Sequence, residues 1–124
     1  MNTSREETKR INLWVHQEMI NLIHELAEKH IPTPSKTSLY AYILKIGLDA
    51  WDDGKRVAHP KEFAFEGELN KFQYYIKETL IQRFNIAFDM EEPQPQRQKF
   101  FFHILCLGIE AYRREYDEFG IKRN

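Results

Sequence analysis

A single cysteine, Cys106, stands in 124 residues, which excludes a disulfide framework and fits a reducing compartment. No charge of either sign is in excess. Residues 1–58 carry 8 Lys+Arg against 8 Asp+Glu, and residues 59–124 carry 10 against 11. A global basic surface for nucleic acid or acidic membranes is therefore excluded, and any nucleic-acid surface must be local. No apolar run approaches the length that spans a bilayer. The polar start, Met1 to Arg10, lacks the apolar stretch of a signal peptide, so a soluble cytoplasmic protein is expected.

Signatures of chemistry are equally scarce. There is no Gly-rich phosphate loop, nucleophile elbow or paired-carboxylate motif. The histidines at 16, 24, 30, 59 and 103 lack the compact spacing of metal ligands. Cys106 falls on the apolar stripe of a predicted helix with no His or Asp pairing pattern around it, as a buried inert thiol does. The expectation is a non-enzyme with no cofactor, metal or small-molecule substrate. Glu91-Glu92, in a Pro-bearing stretch, reads as solvated charge, and Arg113 to Glu118 as an exposed helix end.

What the chain does have is a near-repetition. Pro34 to Trp51 aligns without a gap on Pro95 to Tyr112. The Pro, Ile, Leu, Gly and Ala at 34/95, 43/104, 44/105, 47/108 and 50/111 are identical, and Lys36/Arg97, Ile46/Leu107, Leu48/Ile109, Asp49/Glu110 and Trp51/Tyr112 are close pairs. A small repeated unit seldom buries its apolar face alone, so the copies are expected to pack on each other.

Ahead of the first copy, Ile11, Leu13 and Val15 alternate with Arg10, Asn12 and Trp14, the period of a half-buried strand. From His16 to His30 the period becomes helical, with Met19, Ile20, Ile23, Leu26 and Ala27 in one stripe, until Ile31-Pro-Thr-Pro34 breaks it. Ser35 is a natural N-cap for the next helix, with Thr33 before Pro34 as the rival assignment. Leu39, Ile43, Ile46, Gly47 and Ala50 form that helix's buried stripe, and Asp53-Gly54 ends it. For the second copy, Phe63 and Phe65 suggest a strand at 62–66, and Leu69, Phe72, Ile76, Leu80 and Phe84 a helix over about 68–84. A loop over 85–96 and a helix over 97–116 follow. Strands and first helices then match at an offset of 50 and the last helices at 61, so the second copy carries an 11-residue insertion. The expected organisation is an arm at 1–8, a first unit at 9–54, a linker at 55–61, a second unit at 62–118 with an 85–96 insertion loop, and a tail at 119–124. The run Phe100-Phe-Phe102 covers more than one helix face, so at least one ring is expected to meet the insertion or another chain.

The order strand, helix, Ser-Lys-Thr turn and Gly-containing helix, carried by Lys9 to Val15 and Pro34 to Ser38, resembles the ribbon-helix-helix (Arc/MetJ-type) DNA-binding family over residues 9–53. The second copy matches well only in its last helix. The resemblance implies a mainly α fold of two ribbon-helix-helix repeats in one chain, forming an intramolecular pseudo-dimer whose two-stranded antiparallel ribbon enters the major groove. The partner strand would be residues 62–66 of the same chain, or residues 9–15 of a second chain, since a lone strand is marginal. Alternation sends Arg10, Asn12 and Trp14 outward as base readers, with Arg suited to guanine and Asn to adenine. At the helix start, Ser35, Lys36 and Thr37 would hold a phosphate, Lys9 would add a contact, and Arg97 and Lys99 stand at the equivalent turn.

Double-stranded DNA is thus the expected partner, with a homodimer or higher assembly on it, in repression or as an accessory protein on plasmid or phage DNA. The positions matched to Arg10, Asn12 and Trp14 at an offset of 50 are Pro60, Glu62 and Ala64, a poor set for DNA. That leaves open an asymmetric ribbon, a ribbon between chains, or loss of DNA binding. The alternative function is a protein-interaction or dimerisation module whose partner face is Glu62, Glu66 and the Phe-rich second copy.

Overall fold

The computed structural model describes residues 7–29, 35–117 and 119–123. It contains four helices and a two-stranded antiparallel ribbon, in the order β1 (Thr8–His16), α1 (Gln17–Glu28), α2 (Lys36–Asp52), a 3-10 turn (Pro60–Phe63), β2 (Leu69–Lys77), α3 (Glu78–Asp89) and α4 (Arg97–Glu115). Among these residues no helix is long and apolar enough to cross a membrane.

β1 forms where the alternation places it, with Ile11, Leu13 and Val15 buried beneath the ribbon. Its partner is not 62–66 but β2, paired within the chain from Thr8 opposite Lys77 to His16 opposite Leu69. Leu69, Phe72, Ile76 and Leu80 stand three and four apart, which imitates a helix, yet Phe72 and Ile76 share one strand face with Tyr74 and go inward. Aromatic and β-branched residues in Tyr74-Tyr75-Ile76 favour the strand. Residues 62–66 are a turn and an extended connection instead: Pro60 opens the 3-10 turn, Phe63 plugs the core, and Phe65 packs against Phe102 with ring centres 6.1 Å apart.

α3 starts ten residues later than the spacing suggested and runs on to Asp89, so residues 85–89 are helix. The 11-residue insertion accordingly disappears. Strands, first helices and second helices all begin 61 residues apart, and the connections 29–35 and 90–96 are equal in length. The expected boundaries at 9, 62 and 85–96 shift with it. Of the expected arm, residues 1–6 lie outside the described residues, and Thr8 already belongs to β1. Thr33 and Pro34 also lie outside them. The 119–123 stretch folds back on the chain: Tyr116 bridges Lys122, and the Asp117 carboxylate accepts from the N–H groups of Phe119 and Ile121.

Contacts recur at the same spacing. Gln17 N–H donates to Glu68 O, and Glu78 N–H to Glu7 O. The Asn70 amide binds Gln17 at one end of the ribbon, and Lys9 binds Glu78 at the other. α2 crosses α4 where Gly47 lies against Ile104 and Gly108 against Ile43, so close that neither site has room for a side chain. Tyr40, Phe72, Phe84 and Phe101 fill the centre, fully buried, at about 1.5–3 kcal/mol of burial free energy for each large apolar side chain. Phe100 meets Phe84 and Phe88, the latter within 85–96, Phe101 meets Phe72 and Phe84, and Phe102 meets His16 and Phe65, so all three rings of the Phe run pack within the chain. The connection into β2 is fixed by Glu110, a buried carboxylate that accepts from the N–H groups of Ala58 and His59, both at 2.8 Å.

Candidate functional site

The outward face of the ribbon gathers polar, cationic and aromatic side chains from both strands. Strand alternation sends Arg10, Asn12 and Trp14 out from β1, and the antiparallel register sets Tyr75, Gln73 and Lys71 of β2 opposite them in that order. Asn12 and Gln73 share the centre, where the Gln73 amide donates to Asn12 Oδ1 at 3.1 Å. Trp14 is 48% exposed and Tyr75 60%, a heavy apolar load for a face with nothing on it. The six side chains include two cations and no acid.

At the constant spacing of 61, Arg10 matches Lys71, Asn12 matches Gln73 and Trp14 matches Tyr75. Each pair keeps its chemistry: a cation, a carboxamide, and an aromatic with a polar edge. The assignment of Pro60, Glu62 and Ala64 to this face is therefore corrected. Glu62 lies away from the ribbon, its carboxylate 2.7 Å from Arg113 Nη1. Sequence reasoning missed Lys71, Gln73 and Tyr75, although extending the 61-residue match upstream of Pro95 would have found all three.

Two of the four helix starts carry the expected phosphate residues. Ser35 caps α2, its Oγ accepting from Ser38 N–H at 3.1 Å and donating to Ser38 Oγ at 2.8 Å. Lys36 and Thr37 are exposed in the first turn, whose leading N–H groups have no acceptor within the helix. At α4, Gln96 gives no side-chain cap. Arg97 lies over the Phe84 and Phe88 rings, 5.1 and 5.7 Å from their centres, while Lys99 is exposed. Lys9 falls on the inward parity of β1 and reaches Glu78 at 2.9 Å. The Glu78 hydrogen bond raises the Lys9 pKa and lowers that of Glu78. Lys9 thus belongs to the end of the ribbon rather than to its outer face.

Behind the ribbon runs a polar chain that the sequence did not announce. Tyr74, inward on β2 opposite Ile11, accepts from the Tyr40 hydroxyl at 3.4 Å, and Tyr40 in turn meets His24 Nε2. Burial pushes the Tyr40 hydroxyl pKa up and the His24 imidazole pKa down. Both groups are accordingly neutral near pH 7, and they brace the inner face of β2 with hydrogen bonds rather than charge. Burial likewise raises the Cys106 thiol, which keeps it protonated and unreactive. No protein-family model, curated protein or solved structure matches this chain.

Proposed function

We propose that this chain is a tandem ribbon-helix-helix protein that binds double-stranded DNA sequence-specifically, with its intramolecular ribbon in the major groove. The observation that carries this reading is the matched outer face, Arg10/Lys71, Asn12/Gln73 and Trp14/Tyr75, on one antiparallel ribbon. A two-stranded ribbon fits the major groove, where Arg and Lys grip guanine O6/N7 and Asn and Gln grip adenine N6/N7. The aromatic edges of Trp14 and Tyr75 suit thymine methyl groups. The two β-α-α halves act as the two subunits of a pseudo-dimer, so a single chain carries the whole reading head. Asn12 and Gln73 at its centre favour a nearly palindromic site in which the two half-sites differ by Arg against Lys.

Ser35, Lys36 and Thr37 at the start of α2 hold a flanking phosphate on one side, and Lys99 with the α4 start does so on the other. Because the net charge is −1, affinity depends on this local set rather than on a general attraction. Repression by occlusion of a promoter, or an accessory role on plasmid or phage DNA, follows from such binding. On the interaction-module alternative, Glu62 stands exposed at the surface in an ion pair with Arg113.

The test is fluorescence anisotropy with a labelled mixed-sequence duplex at low salt. The wild type binds, and the affinity falls steeply as salt rises. The double variant Arg10→Glu, Lys71→Glu loses binding, while Lys55→Glu, beyond the far end of α2, does not. Folded wild-type protein that fails to bind at low salt contradicts the proposal.

A further inference from the structure

Two surfaces of this chain set unpaired charge of one sign beside exposed apolar side chains, and their signs are opposite. The first is the outer face of the ribbon. Its register puts Arg10 beside Tyr75 and Lys71 beside Trp14, with the Asn12–Gln73 pair between them. The second is the outer side of α3 and the connection after it. Ile86 and Met90 stand one turn apart there, 61% and 77% exposed. Between Arg83 and Arg97 the chain has the acids Asp89, Glu91 and Glu92 and no base. Among the described residues, none of these acids is in an ion pair, and neither is Arg10 or Lys71. Asp89 accepts only from the Gln94 amide, at 3.5 Å. The neighbouring cations lie over rings, Arg56 at 3.8 Å from the Trp51 centre and Arg97 over Phe84 and Phe88.

The fold itself does not require the apolar ridge on α3. Glu25 and Lys29 hold the same places in the other half, 61 residues earlier, and both are charged. An exposed apolar pair that the matching helix does without marks a contact surface. We propose that the α3 ridge of one copy docks on the outer face of the ribbon of a second copy. Ile86 and Met90 lie against the Trp14 and Tyr75 rings, where a thioether and an aromatic attract. Asp89, Glu91 and Glu92 meet Arg10 and Lys71. Ridge on ridge or ribbon on ribbon would instead set like charges together, so the contact is heterologous, and each copy keeps a ridge or a ribbon free for the next. The patches are small, which makes the association weak and reversible. Self-association does not rest on DNA binding, although its consequence does: a duplex and a second copy compete for one face, so concentrated protein shields its own ribbon.

The test is sedimentation velocity of the full chain at low salt from about 10 μM to about 1 mM, with amide chemical shifts followed over the same range. The sedimentation coefficient should rise with concentration, and the amides of Trp14, Tyr75, Ile86 and Met90 should move together. The ribbon variant Arg10→Glu, Lys71→Glu and the ridge variant Glu91→Lys, Glu92→Lys should each associate at least tenfold more weakly. Their equimolar mixture should regain the rise, because each reversed surface then meets its opposite. The exposed pair Lys55→Glu, Lys61→Glu changes net charge as the ribbon variant does and should keep the wild-type rise. Circular dichroism checks that every variant is folded. No rise in the wild type, a rise that survives either reversal, equal loss in the Lys55, Lys61 control, or no recovery on mixing overturns the proposal. Concentration-dependent shifts confined to other amides overturn it as well. Self-association by protein that binds no duplex upholds the contact and sinks the DNA reading alone.

Discussion

Replacing Gly108 with alanine probes the point on which the two halves hinge. A methyl group there would stand 2.7 Å from Ile43 Cγ2 and closer still to the Ile43 carbonyl oxygen. The mirror change at Gly47 meets Ile104 in the same way, with Ile104 Cγ2 at 3.0 Å. An ordinary contact needs 3.4 Å or more, so α2 and α4 must part by about 1 Å along their crossing. Overpacking against a rigid backbone costs about 3 kcal/mol, and the better helix propensity of alanine returns about 1 kcal/mol. Each variant should therefore lose about 2 kcal/mol, which lowers Tm by roughly 8 °C for a domain of this size. Both methyl groups are relieved by the same separation, so the double variant should lose less than the sum of the two. Thermal and urea unfolding followed by circular dichroism measure all three. A Tm at or above that of the parent for either single variant refutes the close crossing, because alanine in an open helix interior would stabilise it.

Three further outcomes follow from particular contacts. Glu110→Gln leaves one of the Ala58 and His59 N–H groups facing an amide NH2, and should cost about 2 kcal/mol in urea unfolding while exposing the 55–59 segment to protease. Burial depresses the His103 imidazole, opposed by Glu91 and Glu110 and reinforced by Arg56. A folded-state pKa below the unfolded value gives stability that is present above about pH 6.5 and lost as pH falls below it. The urea midpoint should thus fall between pH 7.5 and 5.5, and less so in His103→Gln. On a selected DNA site, Arg10→Ala and Lys71→Ala should each cost about 1–3 kcal/mol and relax specificity in opposite half-sites, whereas Lys36→Ala weakens all duplexes alike.

The first half of this fold was readable because each element has one dominant period. Ile11, Leu13 and Val15 alternate cleanly, and Met19, Ile20, Ile23 and Leu26 are purely helical. β2 was not readable locally. Its inward residues Phe72 and Ile76 stand four apart, and the intervening Tyr74 is only partly buried, so strand and helix periods coincide. Phe63 and Phe65 offered a false alternation. They are apolar because one plugs the core and the other fills a groove, neither of which needs a strand. The outward face of the ribbon followed the same division. Arg10, Asn12 and Trp14 came from the alternation of β1, while Lys71, Gln73 and Tyr75 depended on a register that only the fold-wide spacing of 61 reveals. The Tyr74–Tyr40–His24 chain joins three elements distant in sequence, and no local pattern encodes it.

Selection of binding sites from random duplex DNA at moderate salt, with Arg10→Ala and Lys71→Ala run in parallel, tests the central claim most directly. The account predicts a short, nearly palindromic motif, with each variant losing information in one half-site only. No enrichment by folded wild-type protein, or a motif that both variants recover unchanged, contradicts it.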